Sequence, residues 1–231
     1  MDWNQFLFVI FPYMALTLFV VVTVYRAIFR PFTISSLSSQ LLERKQLFWG
    51  SISFHNGILI ILLGHLLALL FPQSLVLWNS VPFRLYLLEV TGLVLALWSF
   101  VGVLILIVRR ISVSNIRAVT QPTDMGVLLL LMLSVLSGII TATGYRFGST
   151  WFTGVFSPYL WSILTFAPRP ELVAPLPWTI QFHAFNFFIL LAIFPFTRLI
   201  HIITYPLSYL FRPWQIVIWV REQRKQNEGR S

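Results

Sequence analysis

Four histidines are the residues of this sequence best suited to chemistry. His55 and His65 lie ten positions apart in one long apolar stretch, and His183 and His201 lie eighteen positions apart in another. A histidine within a membrane-spanning helix is rare and usually functional. The chain has no cysteine, and no carboxylate lies near the four in sequence. The pattern therefore offers neutral imidazole nitrogens, in two pairs, as ligands.

The group that such pairs fit best is haem. Zinc and non-haem iron usually take three or four protein ligands from a set of this kind. Haem needs only two axial ligands from the protein. Two b-type haems, each held by two histidines, would use all four residues. A c-type haem is excluded because its attachment needs cysteine.

The composition shows which elements must position these histidines. Of the 231 residues, 58% are hydrophobic and 10% are charged, and the mean hydropathy is +0.83. A soluble domain would carry about 25% charged residues. A soluble core and a disordered chain are both excluded, and the apolar runs are too continuous for a β-barrel. We expect an all-α integral membrane protein.

Five apolar runs are long enough to span a membrane, which takes about 20 residues. They cover residues 6–25, 49–71, 85–108, 125–145 and 180–205. A sixth uncharged segment, 147–167, contains Gly148, Gly154 and Pro158 together with many aromatic residues. Such a segment suits the membrane–water interface. We therefore predict five spans within a single domain, 1–231.

The basic residues predict the orientation. With the N-terminus outside, only Arg84, Arg146 and Arg169 of the 16 lysines and arginines lie outside, which leaves 13 inside. This is a strong positive-inside bias. It places the tail, 206–231, in the cytoplasm. The net charge of +9 is then mainly a topology signal that also meets anionic lipid, rather than a site for nucleic acid.

The topology places the histidines at matching depths. His65 and His183 lie toward the outside (the outer pair), and His55 and His201 lie toward the inside (the inner pair). Both haems would thus sit between the second and fifth spans. The separations along the helices, about 15 Å and about 27 Å, do not match. We expect tilt and a kink at Pro195 to absorb the difference.

Two glycines flank the histidines of the second span, and each has two open interpretations. Gly57 and Gly64 allow either a flat macrocycle or another helix to approach the backbone closely. Arg198, one turn from His201, has two interpretations as well. It either pairs with a propionate of the inner haem or extends its charge to the membrane surface.

Several motifs resemble those of the gamma subunit of membrane-bound respiratory nitrate reductase, a di-haem cytochrome b. The resemblance covers nearly the whole chain and is most specific around the last two histidines. The motifs are SQLLERK (39–45), FHNGI (54–58), GH (64–65), RR (109–110), TD (123–124), FH (182–183), PFTRLIH (195–201), PL (206–207) and YLFRP (209–213).

The resemblance implies a quinol-oxidising membrane anchor in the cytoplasmic membrane of a prokaryote, acting in anaerobic respiration or nitrate assimilation. An iron–sulfur subunit would dock on the cytoplasmic face, with a molybdenum catalytic subunit beyond it that reduces nitrate. The family's ligand pairing agrees with the depth argument. Menaquinol or ubiquinol would bind near Gly64 and the outer haem. Arg84 stands where the family has a lysine beside the quinol, although its charge also suits the membrane surface.

Three other functions remain open. The same di-haem anchor could serve a different partner, such as a sulfur-metabolism reductase, a heterodisulfide-type reductase or another molybdenum enzyme. A histidine-using transporter would need carboxylates within its spans, and only Glu89 lies in one. A structural anchor without haem would leave four matched histidines unexplained.

Overall fold

The computed structural model describes residues 2–29 and 45–203, and these residues are almost entirely helical. Within them, five helices are long and apolar enough to cross a membrane. They are Trp3–Phe29, Lys45–Leu70, Pro82–Ser112, Pro122–Gly144 and Trp178–Phe196, here called the first to fifth spanning helices. The prediction of five spans is confirmed, and the helices indicate a multi-pass membrane protein. The predicted tail, 206–231, and most of the motif at 39–45 lie outside the described residues.

Prolines and charges set the ends of the spanning helices. Pro82 and Pro122 occupy the first turns of the third and fourth, where the missing N–H costs no hydrogen bond. Arg109 and Arg110 lie in the last turn of the third helix, where positive charge complements the helix dipole. Asp124 lies in the first turn of the fourth and accepts a hydrogen bond from the Gln121 N–H at 3.4 Å.

The second and third spanning helices make the closest contact. A Cβ atom on Gly102 would overlap the backbone of Phe54, and one on Gly57 would overlap Ser99 and the Leu95 carbonyl. The Ser99 hydroxyl also donates to the Phe54 carbonyl at 3.2 Å. Gly57 therefore serves helix packing. Gly64, in contrast, has open space where a Cβ would lie, with no neighbouring atom within 4 Å of that point.

Packing among the spanning helices follows an open arc. Among the described residues, the extensive contacts join second to third, third to fourth, fourth to fifth, and fifth to first. Within the described ranges, no comparable contact joins the second helix to the fifth, so the two helices that carry the histidines do not pack directly against each other.

Residues 148–164 form a further helical stretch, here called the bridging segment, with a π-helical turn at Phe152–Phe156. It is not among the helices long and apolar enough to span. Its Tyr159 hydroxyl donates to the Phe8 carbonyl at 2.9 Å, and its Ser157 hydroxyl donates to the Ala68 carbonyl at 3.0 Å. The bridging segment thus contacts both the first and the second spanning helices and connects the two ends of the arc.

The fifth span is interrupted where the sequence predicted a kink. Its α-helix ends at Ile193, a 3-10 turn covers Phe194–Phe196, and Thr197 is extended. The predicted range, 180–205, is therefore not one continuous helix. Pro195 lacks the N–H that would continue the helix, and its ring clashes with the preceding turn. The Arg26 guanidinium of the first helix donates to the Pro195 carbonyl and supports the break.

Candidate functional site

The two histidines of the inner pair lie close to each other, with their rings tilted. The ring centres of His55 and His201 are 6.3 Å apart, and the two ring planes make an angle of 55°. A metal–imidazole bond is about 2 Å long, so two rings on opposite sides of one metal ion have centres roughly 6 to 6.5 Å apart. The observed separation therefore fits two axial ligands of one iron. His201 follows the break at Pro195 directly, at the end of the 3-10 turn Arg198–Ile200.

Three of the histidines donate from Nδ1 to a backbone carbonyl nearby in sequence. His55 Nδ1 lies 2.8 Å from the Ser51 carbonyl oxygen, and His65 Nδ1 lies 2.8 Å from that of Ile61. His201 Nδ1 contacts the Arg198 carbonyl. A carbonyl can only accept, so Nδ1 carries the proton in each neutral ring. The lone pair is therefore on Nε2.

The fourth histidine, His183, uses a partner on another helix. Its Nδ1 lies 2.9 Å from the Ser137 hydroxyl of the fourth spanning helix. That hydroxyl donates to the Ser134 carbonyl at 3.0 Å, so it accepts from His183. Within the described residues, no Nε2 of the four histidines has a hydrogen-bond partner. A hydrogen-bonded Nδ1 and a free Nε2 are the arrangement in which histidine ligates a metal.

The outer pair is close enough for electrostatic interaction between His65 and His183. Phe152 of the bridging segment packs edge-on against the His65 ring, with ring centres 5.1 Å apart. On the other side, a Cβ on Gly138 would lie 3.2 Å from His183 Cε1, so the missing side chain makes room for this ring. The structure thus brings the inner pair to a separation of 6.3 Å between ring centres, and it places the two histidines of the outer pair within electrostatic range of each other. Residues 2–29 and 45–203 contain no group of three or more histidine, cysteine, aspartate or glutamate side chains that could hold a metal.

Arg198 has a partner that the sequence did not indicate. Its Nε lies 3.3 Å from Asp124 Oδ1, and Arg110 Nη1 lies 3.2 Å from Asp124 Oδ2. Asp124 thereby links the third and fourth helices to the turn that carries His201. The TD motif at 123–124 was the one signal in the sequence. Ser137 had no comparable signal, because it lies 46 residues from His183.

The two residues that the sequence predicted for the quinol site lie at open positions. Gly64 adjoins His65 and faces unfilled space. Arg84 is exposed at the start of the third helix, with its guanidinium carbon 5.3 Å from the centre of the Trp78 ring. This cation–π contact suits a side chain at the membrane surface. Nothing in the geometry assigns Arg84 to a ligand.

Comparison with known proteins decides the family. The model of the family described as "Nitrate reductase gamma subunit" matches residues 4–220. The chain belongs to the nitrate reductase gamma subunit family. The predicted resemblance is confirmed.

Individual relatives of this family member match along nearly its full length. The nitrate reductase gamma chain of Bacillus subtilis (strain 168) is 31% identical over 221 residues, covering 92% of this chain and 97% of the relative. The respiratory nitrate reductase 1 gamma chain of Escherichia coli (strain K12) is 29% identical, with 93% and 96% covered. The nitrate reductase-like protein NarX of Mycobacterium tuberculosis (strain CDC 1551 / Oshkosh) is 30% identical, but the match covers 33% of that longer protein.

Proposed function

We propose that this chain is the quinol-oxidising membrane anchor of a respiratory nitrate reductase complex, a cytochrome b with two haems. The observation that carries the proposal is the hydrogen bonding of the four histidine rings. Each hydrogen-bonds through Nδ1 and has no partner at Nε2 within residues 2–29 and 45–203, and the ring centres of the inner pair are 6.3 Å apart, which suits two ligands of one metal ion. Membership of the gamma subunit family supports the same conclusion.

In this proposal, His55 and His201 hold the inner haem, and His65 and His183 hold the outer haem. Two b-type haems bound there would carry single electrons between the two sides of the membrane. The Nδ1 partners fix each ring in the ligating tautomer and raise its basicity. Gly138 and Gly64 leave space beside the outer pair. Arg198 pairs with Asp124 and so positions the turn before His201. Arg198 is also three residues from His201, so it could contact a propionate of a haem bound there.

The substrate in this proposal is menaquinol or ubiquinol, bound near Gly64, His65 and Arg84. Its protons leave to the outer side, and its electrons move inward to an iron–sulfur subunit on the cytoplasmic face. A molybdenum subunit beyond it reduces nitrate. Electrons moving inward and protons leaving outward separate charge across the membrane. The chain lies in the cytoplasmic membrane, with its N-terminus outside and its C-terminus inside, as the basic residues favour.

The test is a reduced-minus-oxidised absorption spectrum of the purified chain, with haem counted per chain. We expect two b-type haems. His65→Ala and His183→Ala should each remove the same haem, and His55→Ala and His201→Ala should each remove the other. Absence of a b-type spectrum would refute the proposal. Equal loss of both haems in every variant would contradict the pairing.

The partners are tested by purifying the chain from its native membrane under mild conditions. An iron–sulfur protein and a molybdenum protein should co-purify with it, and quinol should then support nitrate reduction. Co-purification of a reductase for another acceptor would instead show that the same anchor serves a different complex.

A further inference from the structure

A hydrogen-bonded cluster beside the outer pair joins the third spanning helix to the bridging segment. Glu89, two turns into that helix, accepts at Oε1 from the Ser149 backbone N–H at 2.9 Å and from the Ser149 hydroxyl at 2.7 Å. The Asn79 side-chain N–H in turn donates to the Ser149 hydroxyl at 3.0 Å. A carboxylate within a spanning helix is costly and usually functional.

Three polar atoms of this cluster lack a hydrogen-bond partner in the described part of the chain. Two are buried: the Trp151 indole N–H, which is a donor, and Asn79 Oδ1, which is an acceptor. Exchanging the nitrogen and oxygen of the Asn79 amide would not remove this unpaired acceptor. The Ser149 hydroxyl already donates its hydrogen to Glu89, so it can only accept from Asn79, and the Asn79 N–H must face it. The third is Glu89 Oε2, since both donors from Ser149 go to Oε1.

Two of these atoms lie close to the same glycine. Glu89 Oε2 and Trp151 Nε1 would lie 3.7 Å and 3.8 Å from a Cβ on Gly148, so both adjoin the position that a side chain of this residue would take. Buried polar groups almost always find a partner. An O–H group placed there would donate to Glu89 and accept from Trp151. A bound phosphate is disfavoured because the carboxylate would repel it.

The cluster is connected to the outer histidine pair through Phe152. Phe152, next to Trp151, is the residue whose ring packs against His65. We propose that Glu89 is the proton acceptor for quinol oxidation, taking the proton from an O–H group held between its Oε2 and the Trp151 indole. That O–H is either the quinol hydroxyl itself or a water that relays its proton. The inference rests on the proposed function.

Glu89 would act twice for each quinol oxidised. Conversion of one quinol to quinone breaks two O–H bonds, forms two C=O bonds, and releases two protons and two electrons. Glu89 takes the first proton, releases it toward the outer surface, and then takes the second. The two electrons go to the oxidant that the proposed complex reduces, nitrate.

The experiment compares Glu89→Gln with the wild type in the complete complex, using a short-tailed ubiquinol and a short-tailed menaquinol analogue. Gln keeps an acceptor for Ser149 but cannot take a proton. We expect kcat to fall about a hundredfold, the range of general-base catalysis, while haem content is unchanged. The solvent deuterium isotope effect should increase. Glu89→Asp should recover part of the rate. Glu171→Gln, which changes an exposed carboxylate between the bridging segment and the fifth spanning helix, is the matched control.

Trp151→Phe distinguishes the two sources of the O–H group. A higher KM identifies the quinol hydroxyl, whereas a lower kcat at unchanged KM identifies a relaying water. Wild-type kinetics in Trp151→Phe would overturn the site. Wild-type turnover in Glu89→Gln, or an equal fall in Glu171→Gln, would overturn the role of Glu89. The proposed function fails separately, if the wild-type complex does not oxidise either analogue.

Discussion

At the scale of single residues, the groups that hydrogen-bond to the histidine Nδ1 atoms determine how each ring is oriented. His55 and His65 each use the carbonyl four positions earlier, which any helical histidine can reach. That partner follows from helix geometry, so the sequence could have predicted it. The partner of His183 is Ser137 on another helix, and only the fold could reveal it. The sequence therefore identified the candidate ligands but not all of the groups that orient them.

Ser137→Ala should weaken the outer haem selectively. The variant removes the hydroxyl that accepts from His183 Nδ1 in a half-buried position and leaves the Ser134 carbonyl as the remaining partner of this ring. Losing such a partner typically lowers metal affinity about 10- to 100-fold, and we expect the lower end of this range. We also expect the reduction potential of that haem to rise, because a less basic imidazole stabilises oxidised iron less. Haem retention after detergent washing and a redox titration measure both effects.

Ser51→Ala is the control for this prediction. The Ser51 hydroxyl lies 3.2 Å from His55 Nδ1, but the Ser51 carbonyl remains as acceptor at 2.8 Å in the variant. The inner haem should therefore be retained. Equal losses of haem in the two variants would show that the hydroxyl of Ser137 has no particular role.

At the scale of helices, the apolar runs predicted the five spans because each is far longer than a buried soluble helix needs to be. The interruption at Pro195 was also predictable, from the chemistry of proline. The tight crossing of the second and third helices was not. Glycines at Gly57, Gly64, Gly92 and Gly102 look alike in the sequence, yet only Gly57 and Gly102 face a neighbouring backbone.

Gly102→Ala should destabilise the protein, whereas Gly92→Ala on the same helix should not. A Cβ on Gly102 would lie 2.9 Å from the Phe54 Cα, and overpacking of this kind costs about 1–3 kcal/mol. Gly92 has open space, so alanine there keeps or slightly raises stability through its better helix propensity. Thermal unfolding midpoints in detergent test the difference. A midpoint for Gly102→Ala at or above that of Gly92→Ala would contradict the close packing.

At the scale of the whole molecule, Asp124 ties together parts of the chain that are far apart in sequence. It pairs with Arg110 of the third helix and with Arg198 beyond the break in the fifth. Its position in the first turn of a helix could be predicted, but its two arginine partners depend on how three helices assemble. The pairing of Arg198 with Asp124 also gives this arginine a role that neither sequence interpretation contained.

Asp124→Asn should loosen the turn that carries His201 and reduce occupancy of the inner haem. Asn keeps an oxygen for the Gln121 N–H, so the start of the fourth helix should survive. Loss of both ion pairs should cost about 2 kcal/mol, less than for a fully buried pair because the Arg198 side chain is 44% exposed. Haem per chain and the thermal midpoint are the measurements. Asp124→Glu should recover part of the occupancy, and preferential loss of the outer haem would refute this role.

Each histidine pair takes one member from the second spanning helix and the other from residue 183 or later. The order of synthesis follows from this arrangement. A ribosome that has completed four spanning helices has made one ligand of each pair and finished neither. No cofactor can be bound by both members of a pair until the segment that begins at His183 has been synthesised. A chain cut short before His201 therefore lacks a complete inner pair, even if everything ahead of it has folded.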